Sequence, residues 1–190
     1  MVKKVQFGPQ KLVVPRPTFL VGAVVNGKPN FITIGGGGLA NGEPPMICLP
    51  IRHHQYTLEG IMQNRAFSIN YPSAKQVKEV DFCGLVSGRK VDKVAVCNFH
   101  IFYGKVDKAP LIDECPVNLE CKLMYAMNLG GHMMVIGQVE ECHVNEDCLT
   151  DGKPDAKKIN AMVFDPEQGV YLSLGDVVAK SHSVGRELMK

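Results

Sequence analysis

The stretch "PNFITIGGGGLANGEPPMICLPI", residues 29–51, decides how the rest of the chain is read. Two apolar β-type runs, residues 30–34 and 46–51, flank four consecutive glycines and the pair Pro44-Pro45. Residues 35–40 satisfy the spacing G-x-G-x-x-A, but a dinucleotide fingerprint needs a helix directly behind it so that phosphate meets the helix N-terminus. Gly42, Pro44 and Pro45 forbid that helix. The glycines therefore serve either a plain loop or a place where main chain comes close to a flat ligand, since glycine alone combines φ > 0 with an open surface.

Strand signals dominate on both sides. "PTFLVGAVVNGKPNFITI" reads as strand, turn, strand, with Asn26-Gly27 a hairpin turn between apolar runs. "PPMICLPI" and "AFSINYP" follow as further strands, then "VAVCNFHIFYG", "VNLECKLMYAMNLGGHMMVIGQVEECHV" and "NAMVFDPEQGVYLSLGDVV". Leu119, Cys121, Leu123 and Tyr125 alternate with Glu120, Lys122 and Met124, and Gly130-Gly131 turns the chain into a second hairpin. Helical signals are few. "TLEGIMQNR" opens with Thr57 as N-cap, "SAKQVKEVDFCGLVSG" opens at Ser73, and a third short helix is expected in "DKVAVC". Strands do not alternate with long helices, so an antiparallel barrel fits better than a parallel α/β sheet. One domain over residues 1–190 is expected, with no linker or repeat.

Composition narrows the function. With 45% hydrophobic residues, 21% charged residues and a net charge of +2, the chain has no clustered basic stripe of the kind that binds nucleic acid. No run approaches the ~20 apolar residues of a membrane span. The N-terminal "MVKKVQFGPQKLVVP" lacks the apolar core of a signal peptide, which points to the cytoplasm. Seven cysteines, an odd number without any C-x-x-C pair, do not read as a disulfide framework. The gap of five residues between Cys115 and Cys121, repeated between Cys142 and Cys148, is not a usual zinc spacing. There is no G-x-S-x-G elbow and no P-loop, so no catalytic motif emerges.

Taken in order, "RPTFLVGAVVNGKPNFITIGG", "PPMICLPIRHHQYTLEGIMQNRAFSINYPS", "CGLVSGRKVDKVAV", "PLIDECPVNLECKLMYAMNLGGHMMVIGQVEE" and "MVFDPEQGVYLSLGDVV" resemble the flavin reductase-like, FMN-binding split-barrel family, and within it the flavoredoxins. The resemblance runs from about Pro15 to the C-terminus. It implies a mainly β, Greek-key split barrel with short helices that forms a homodimer and binds FMN at the dimer cleft. Matched position by position, it implies that Asn30 and Thr33 meet the flavin ring and that Gly35, Gly36 and Gly37 run along its edge. Ile51, Arg52 and Thr57 would hold ribityl and phosphate. Asn70 and Ser73 belong to an N-x-P-S element, and Lys93, His132 and Phe164 match further flavin-contacting positions. Relatives often carry an aromatic, typically Trp, at the second or third glycine; this chain has no Trp.

These residue types suit the ligand. The polar edge of an isoalloxazine takes hydrogen bonds from main-chain N–H groups, and its phosphate suits Arg, a hydroxyl and a helix start. Hydride transfer at a flavin needs no dedicated protein acid or base, because the cofactor supplies the chemistry. The expectation is a slot formed by residues 35–37 and the turn 52–57. It serves either an electron carrier fed by NAD(P)H or a redox protein, or an NAD(P)H:flavin reductase. A split barrel that binds a ligand without catalysis is the alternative from another class.

Overall fold

A computed structural model describes residues 2–189. Arg16–Val25 (β1) and Lys28–Gly35 (β2) form the first hairpin, and its turn residues Asn26 and Gly27 have φ of 50° and 79°. Positive φ at both positions is the backbone of the tight hairpin turn that an Asn-Gly pair favours. Next come Gly38–Asn41 (β3), Met46–Arg52 (β4), the helix Tyr56–Asn64 (α1) and Ala66–Tyr71 (β5). A one-turn helix at Ala74–Gln76 leads into Val77–Leu85 (α2), and Lys93–Cys97 (α3) follows after a loop. Two-residue strands Ile101–Phe102 (β6) and Leu111–Ile112 (β7) precede the long hairpin Val117–Asn128 (β8) and His132–Val144 (β9). Small elements finish the chain: Leu149–Thr150 (β10), Lys153–Pro154 (β11), Ala156–Ile159 (α4), Met162–Asp165 (β12) and Val170–Ser173 (β13).

Every named strand pairing is antiparallel. The main sheet runs β13-β12-β1-β5-β8-β9-β4-β3, and β2 joins it through β1 alone. β1 is thus the hub, meeting β12 at Arg16 and Pro17, β2 along its whole length, and β5 at residues 20–22. The alternating faces of β1 and β2 feed two cores. Phe19, Val21, Ile32 and Ile34 point into the barrel with Leu49, Phe67 and Val135. Leu20 and Phe31 point outward, where Val80 and Cys83 of α2, together with Phe99, cover them. This second layer places α2 and α3 over β2.

Three expectations change here. The cap of α1 is Gln55, and Thr57 lies within the first turn with its side chain buried, because the helix begins two residues earlier than the Thr signal implies. "VAVCNFHIFYG" is not one strand. Asp92 accepts a hydrogen bond from the Ala95 N–H at 3.1 Å and caps α3, which occupies the first four of those residues. In β8 the alternation breaks: Glu120 is wholly buried and Tyr125 is exposed, with register shifts after Glu120 and after Leu123.

Candidate functional site

The loop between α2 and α3 bends back over the β1–β2 hairpin and the start of α1, leaving two adjoining recesses of about 430 and 160 Å³. Asn30, Tyr56, Gly88 and Lys93 belong to both. Gly88 is required by contact: a Cβ there would overlap Asn30 Oδ1, so any side chain would push the loop off the hairpin.

Three buried polar side chains form the floor. Asn30 Nδ2 donates to Thr57 Oγ1 at 2.7 Å. Lys93 is 3% exposed and its Nζ donates to the carbonyls of Phe31 at 2.8 Å and Cys83 at 2.7 Å. Burial pushes the Lys93 ammonium below the usual lysine range, opposed in part by the nearby Cys83 and Cys97 thiols. Among the described residues no carboxylate pairs with it. A buried cation without a counter-ion is costly, and an anion in the recess offsets that cost. The smaller recess is also lined by Gln55, Tyr56 and Thr57, the start of α1, where amides without an intrahelical partner favour negative charge.

The glycine run lies elsewhere. Gly35, Gly36 and Gly37 line an open, largely apolar recess with Arg16 and Pro50, separate from the one lined by Gln55 and Thr57. These two recesses share no lining residue, and the segments are connected through β4 and through β2, which carries Asn30 near one end and Gly35 at the other. Gly36 and Gly37 have φ of 139° and 121°. A Cβ on Gly37 would come within 2.6 Å of the Cys48 carbonyl, whereas one on Gly36 meets only Arg16 Cδ at 3.9 Å. An aromatic ring could therefore stand at Gly36 at the cost of backbone strain, and at Gly37 only if β4 moved. Gly37→Ala is expected to cost about 1–3 kcal/mol of strain plus the collision with β4, and Gly36→Ala the strain alone. Chemical denaturation of the two variants checks the order.

The remaining expected positions divide by burial. Thr33 donates its hydroxyl to the Val80 carbonyl of α2. Ile51 is core, so only its main chain is available. Arg52 is exposed at the end of β4 opposite His132 of β9, and the neighbouring His53 contacts the Gly130 carbonyl at 2.9 Å. Asn70 is wholly buried and committed within the protein. Its Nδ2 donates to Leu20 O and Ser68 Oγ, and its Oδ1 accepts from Ile112 N–H and Asn118 Nδ2. With both donors and both acceptor sites used, Asn70 ties four segments of the barrel together. Ser73 bridges to Ala161 and donates its N–H to Gln76 Oε1 at 2.9 Å, starting the one-turn helix. Phe164 lies under Gly35 and beside Tyr171, their ring centroids 5.4 Å apart. The structure therefore gathers Asn30, Thr57 and Lys93 at one floor, sets Gly35–Gly37 around a separate recess with Phe164 packed against Gly35, and leaves Arg52 and His132 at the paired ends of β4 and β9.

Sequence reasoning did not single out Tyr56, Gly88 or Arg89. Arg89 stacks on the Tyr56 ring, 4.6 Å from its centroid, and pairs with Glu59. The signal available was the tripeptide Gly88-Arg89-Lys90 between two helices, but what it folds against is set by residues far away in the chain. The cysteines take no evident part. Burial pushes the Cys83 and Cys115 thiols up to about 12, so both stay protonated near neutral pH.

These elements make an antiparallel β-barrel protein with a cationic, ligand-sized cleft beside a helix start. More narrowly, the chain belongs to the flavin reductase-like family: the family model "Flavin reductase like domain" matches residues 12–164. Flavoredoxin from Methanosarcina acetivorans superposes with a TM-score of 0.94 at 35% identity, covering 99% of this chain and 100% of that one. Flavoredoxin of Desulfovibrio vulgaris (Miyazaki F) gives 0.91 at 32% identity, covering 96% and 100%. An uncharacterized protein of Archaeoglobus fulgidus is 31% identical over 142 residues, 74% of this chain and 78% of that relative. The fold is thus that of the flavin reductase-like split barrels. No helix among the described residues is long and apolar enough to cross a membrane.

A flavin fits these residues on two observations of this structure: the buried ammonium of Lys93 has no carboxylate partner among the described residues, and the recess beside it is lined by the start of α1.

Proposed function

We propose that the protein is an FMN-carrying oxidoreductase of flavoredoxin type, taking electrons from a reduced donor and passing them on. The observation that carries this reading is the buried Lys93 at the floor of a cleft bounded by the start of α1. Bound flavin supplies the hydride or electron transfer. The chain's part is to hold it. Lys93 and the first amides of α1 bind the phosphate, Asn30 fixes the Thr57 side chain, and the ligand runs along β2 from that floor to the glycine main chain at the strand's end, where no side chain blocks the ring edge.

A homodimer is part of this reading, because the single chain leaves large apolar side chains bare. Val5, Phe7 and Val13 on the extended N-terminal segment are exposed, as are Leu39, Met127 and Leu129 near the ends of β3, β8 and β9. Exposed apolar groups on this scale mark an association surface. A second copy would cover them and turn the open glycine recess into a closed site.

Donor identity separates an electron carrier from a flavin reductase. Under anaerobic conditions, reduced ferredoxin should bleach the bound flavin quickly, while NADH and NADPH should do so slowly. Rapid reduction by NAD(P)H with release of reduced flavin would instead make it a flavin reductase. A colourless preparation that ignores added FMN would leave a non-catalytic binding module. Arg52 gives a graded test. In sequence terms its loss resembles that of a charge-assisted phosphate contact, about 1.5–3 kcal/mol, but its exposure reduces the expectation for Arg52→Ala to roughly 0.2–1 kcal/mol, shrinking with added salt. Fluorescence titration of FMN at two ionic strengths measures it.

A further inference from the structure

We infer that Arg16 is a further cation of the cofactor site, fixed at the end of β2 that carries the glycine run, where it makes the site favour reduced over oxidised flavin. This rests on the flavin reading proposed above and extends it from the phosphate to the ring. The way the guanidinium is held is one argument. Arg16 is half-buried at the start of β1. Its Nε donates to the Val13 carbonyl and its Nη2 to the Lys11 carbonyl, both at 2.8 Å. These acceptors are neutral, and no carboxylate pairs with Arg16 among the described residues. The planar fork is anchored without its charge being cancelled.

Place is the second argument. Arg16 lines the recess of about 280 Å³ that Gly35–Gly37 and Pro50 also line. The Gly36 N–H donates to the Pro17 carbonyl at 3.0 Å, which clips the glycine run to the residue after Arg16. Gly36 puts no side chain between the two: a Cβ there would have only Arg16 Cδ within 4 Å, at 3.9 Å. Charge is the third. Lys11 and Arg16 are the only charged residues lining that recess among the described residues, and residues 1–42 hold Lys3, Lys4, Lys11, Arg16 and Lys28 but no Asp or Glu. Reduction enriches the polar edge of an isoalloxazine in negative charge, and a cation beside that edge stabilises the reduced ring. Lys93 does different work, because the phosphate it meets carries the same charge in both oxidation states. Arg16 gives and takes no proton or electron; it biases binding.

The test titrates flavin-free protein, in the absence of oxygen, with oxidised FMN and with dithionite-reduced FMN. Arg16→Gln, which stays polar but loses the charge, should bind oxidised FMN as the wild type does and reduced FMN about tenfold more weakly. The midpoint potential of the bound flavin then falls by about 30 mV for a two-electron couple. Arg16→Lys keeps the charge and should retain most of the wild-type preference, although an ammonium lacks the fork that spans both carbonyls. Both variants should melt with the wild type, because the bonds they lose tie down only exposed main chain. An unchanged ratio of the two affinities in Arg16→Gln overturns the inference and leaves the flavin reading standing. So does an equal loss in Arg16→Lys, which would make the placing of the N-terminal segment, not the charge, the cause. A wild type that binds neither form of FMN sinks the flavin reading and this inference with it.

Discussion

Glu120→Ala is expected to lower the unfolding free energy by about 3–5 kcal/mol, because the donors that bond its carboxylate lose their acceptor at a cost of about 1–3 kcal/mol each. Glu120 is wholly buried in β8. Its carboxylate accepts from His143 Nε2 at 2.7 Å and from the Val106 N–H. Taking the carboxylate away leaves a buried amide and an imidazole facing a void, and it releases the segment after β6 that folds over this point. For a chain of this size the loss corresponds to a fall in melting temperature of roughly 10 °C. Burial by itself would raise the Glu120 carboxyl. The hydrogen bonds from His143 and from the Val106 and Lys105 amides together outweigh it and hold the group below the ordinary glutamate range. A folded-state value below the unfolded one means that the contribution is complete above the ordinary glutamate range and fades as pH falls through the folded value. Thermal unfolding followed from neutral pH down toward 3 should therefore show the wild type losing stability steeply at the acid end. Glu120→Gln, which cannot ionise, should start lower and fall less. Parallel curves for the two proteins would show that the carboxylate's charge is not what holds the segment.

Lys93→Met is the second large effect, and it separates binding from folding. Methionine keeps most of the aliphatic length and removes the ammonium. The Phe31 and Cys83 carbonyls lose their donor, so the flavin-free protein should lose about 1–3 kcal/mol of stability. Flavin binding should lose more, about 2–5 kcal/mol or some 30- to several-thousand-fold in Kd, because a desolvated cation facing a phosphate is worth far more than an exposed one. Arg52→Ala provides the exposed comparison in the same titration. Equal losses from the two variants would mean that the phosphate sits in solvent near β4 and not over the Lys93 floor.

How much of this could be read from the sequence depends on how local the cause is. Asn26-Gly27 declares its hairpin because both residues supply the positive φ that the turn requires, and Asp92 announces α3 by capping it. The antiparallel barrel followed from the run of strand signals, and the order of quoted segments resembled the right family. The candidate site was less legible. Lys93 looks like any lysine after a helix cap, since its burial is made by a carbonyl on β2, 62 residues earlier in the chain. Asn70 looks like part of a ligand motif but is consumed by Leu20, Ser68, Ile112 and Asn118, three of them 42 or more residues distant. Glu120 breaks a clean alternation because a separate segment lies over it. The glycines drew attention for a sound reason, their positive φ, yet which recess they line depends on the approach of Cys48 and Pro50 from β4. In each case local chemistry set the element, and long-range contacts set which side chains the cleft receives.

The most direct measurement is a crystal structure of the protein grown with FMN. The account predicts one FMN per chain, its phosphate within hydrogen-bond distance of Lys93 Nζ and of the amides opening α1, and its ring edge toward main chain at residues 35–37. A phosphate bound at the glycine run or on the Arg52 rim, with the Lys93 floor left to solvent, would contradict it.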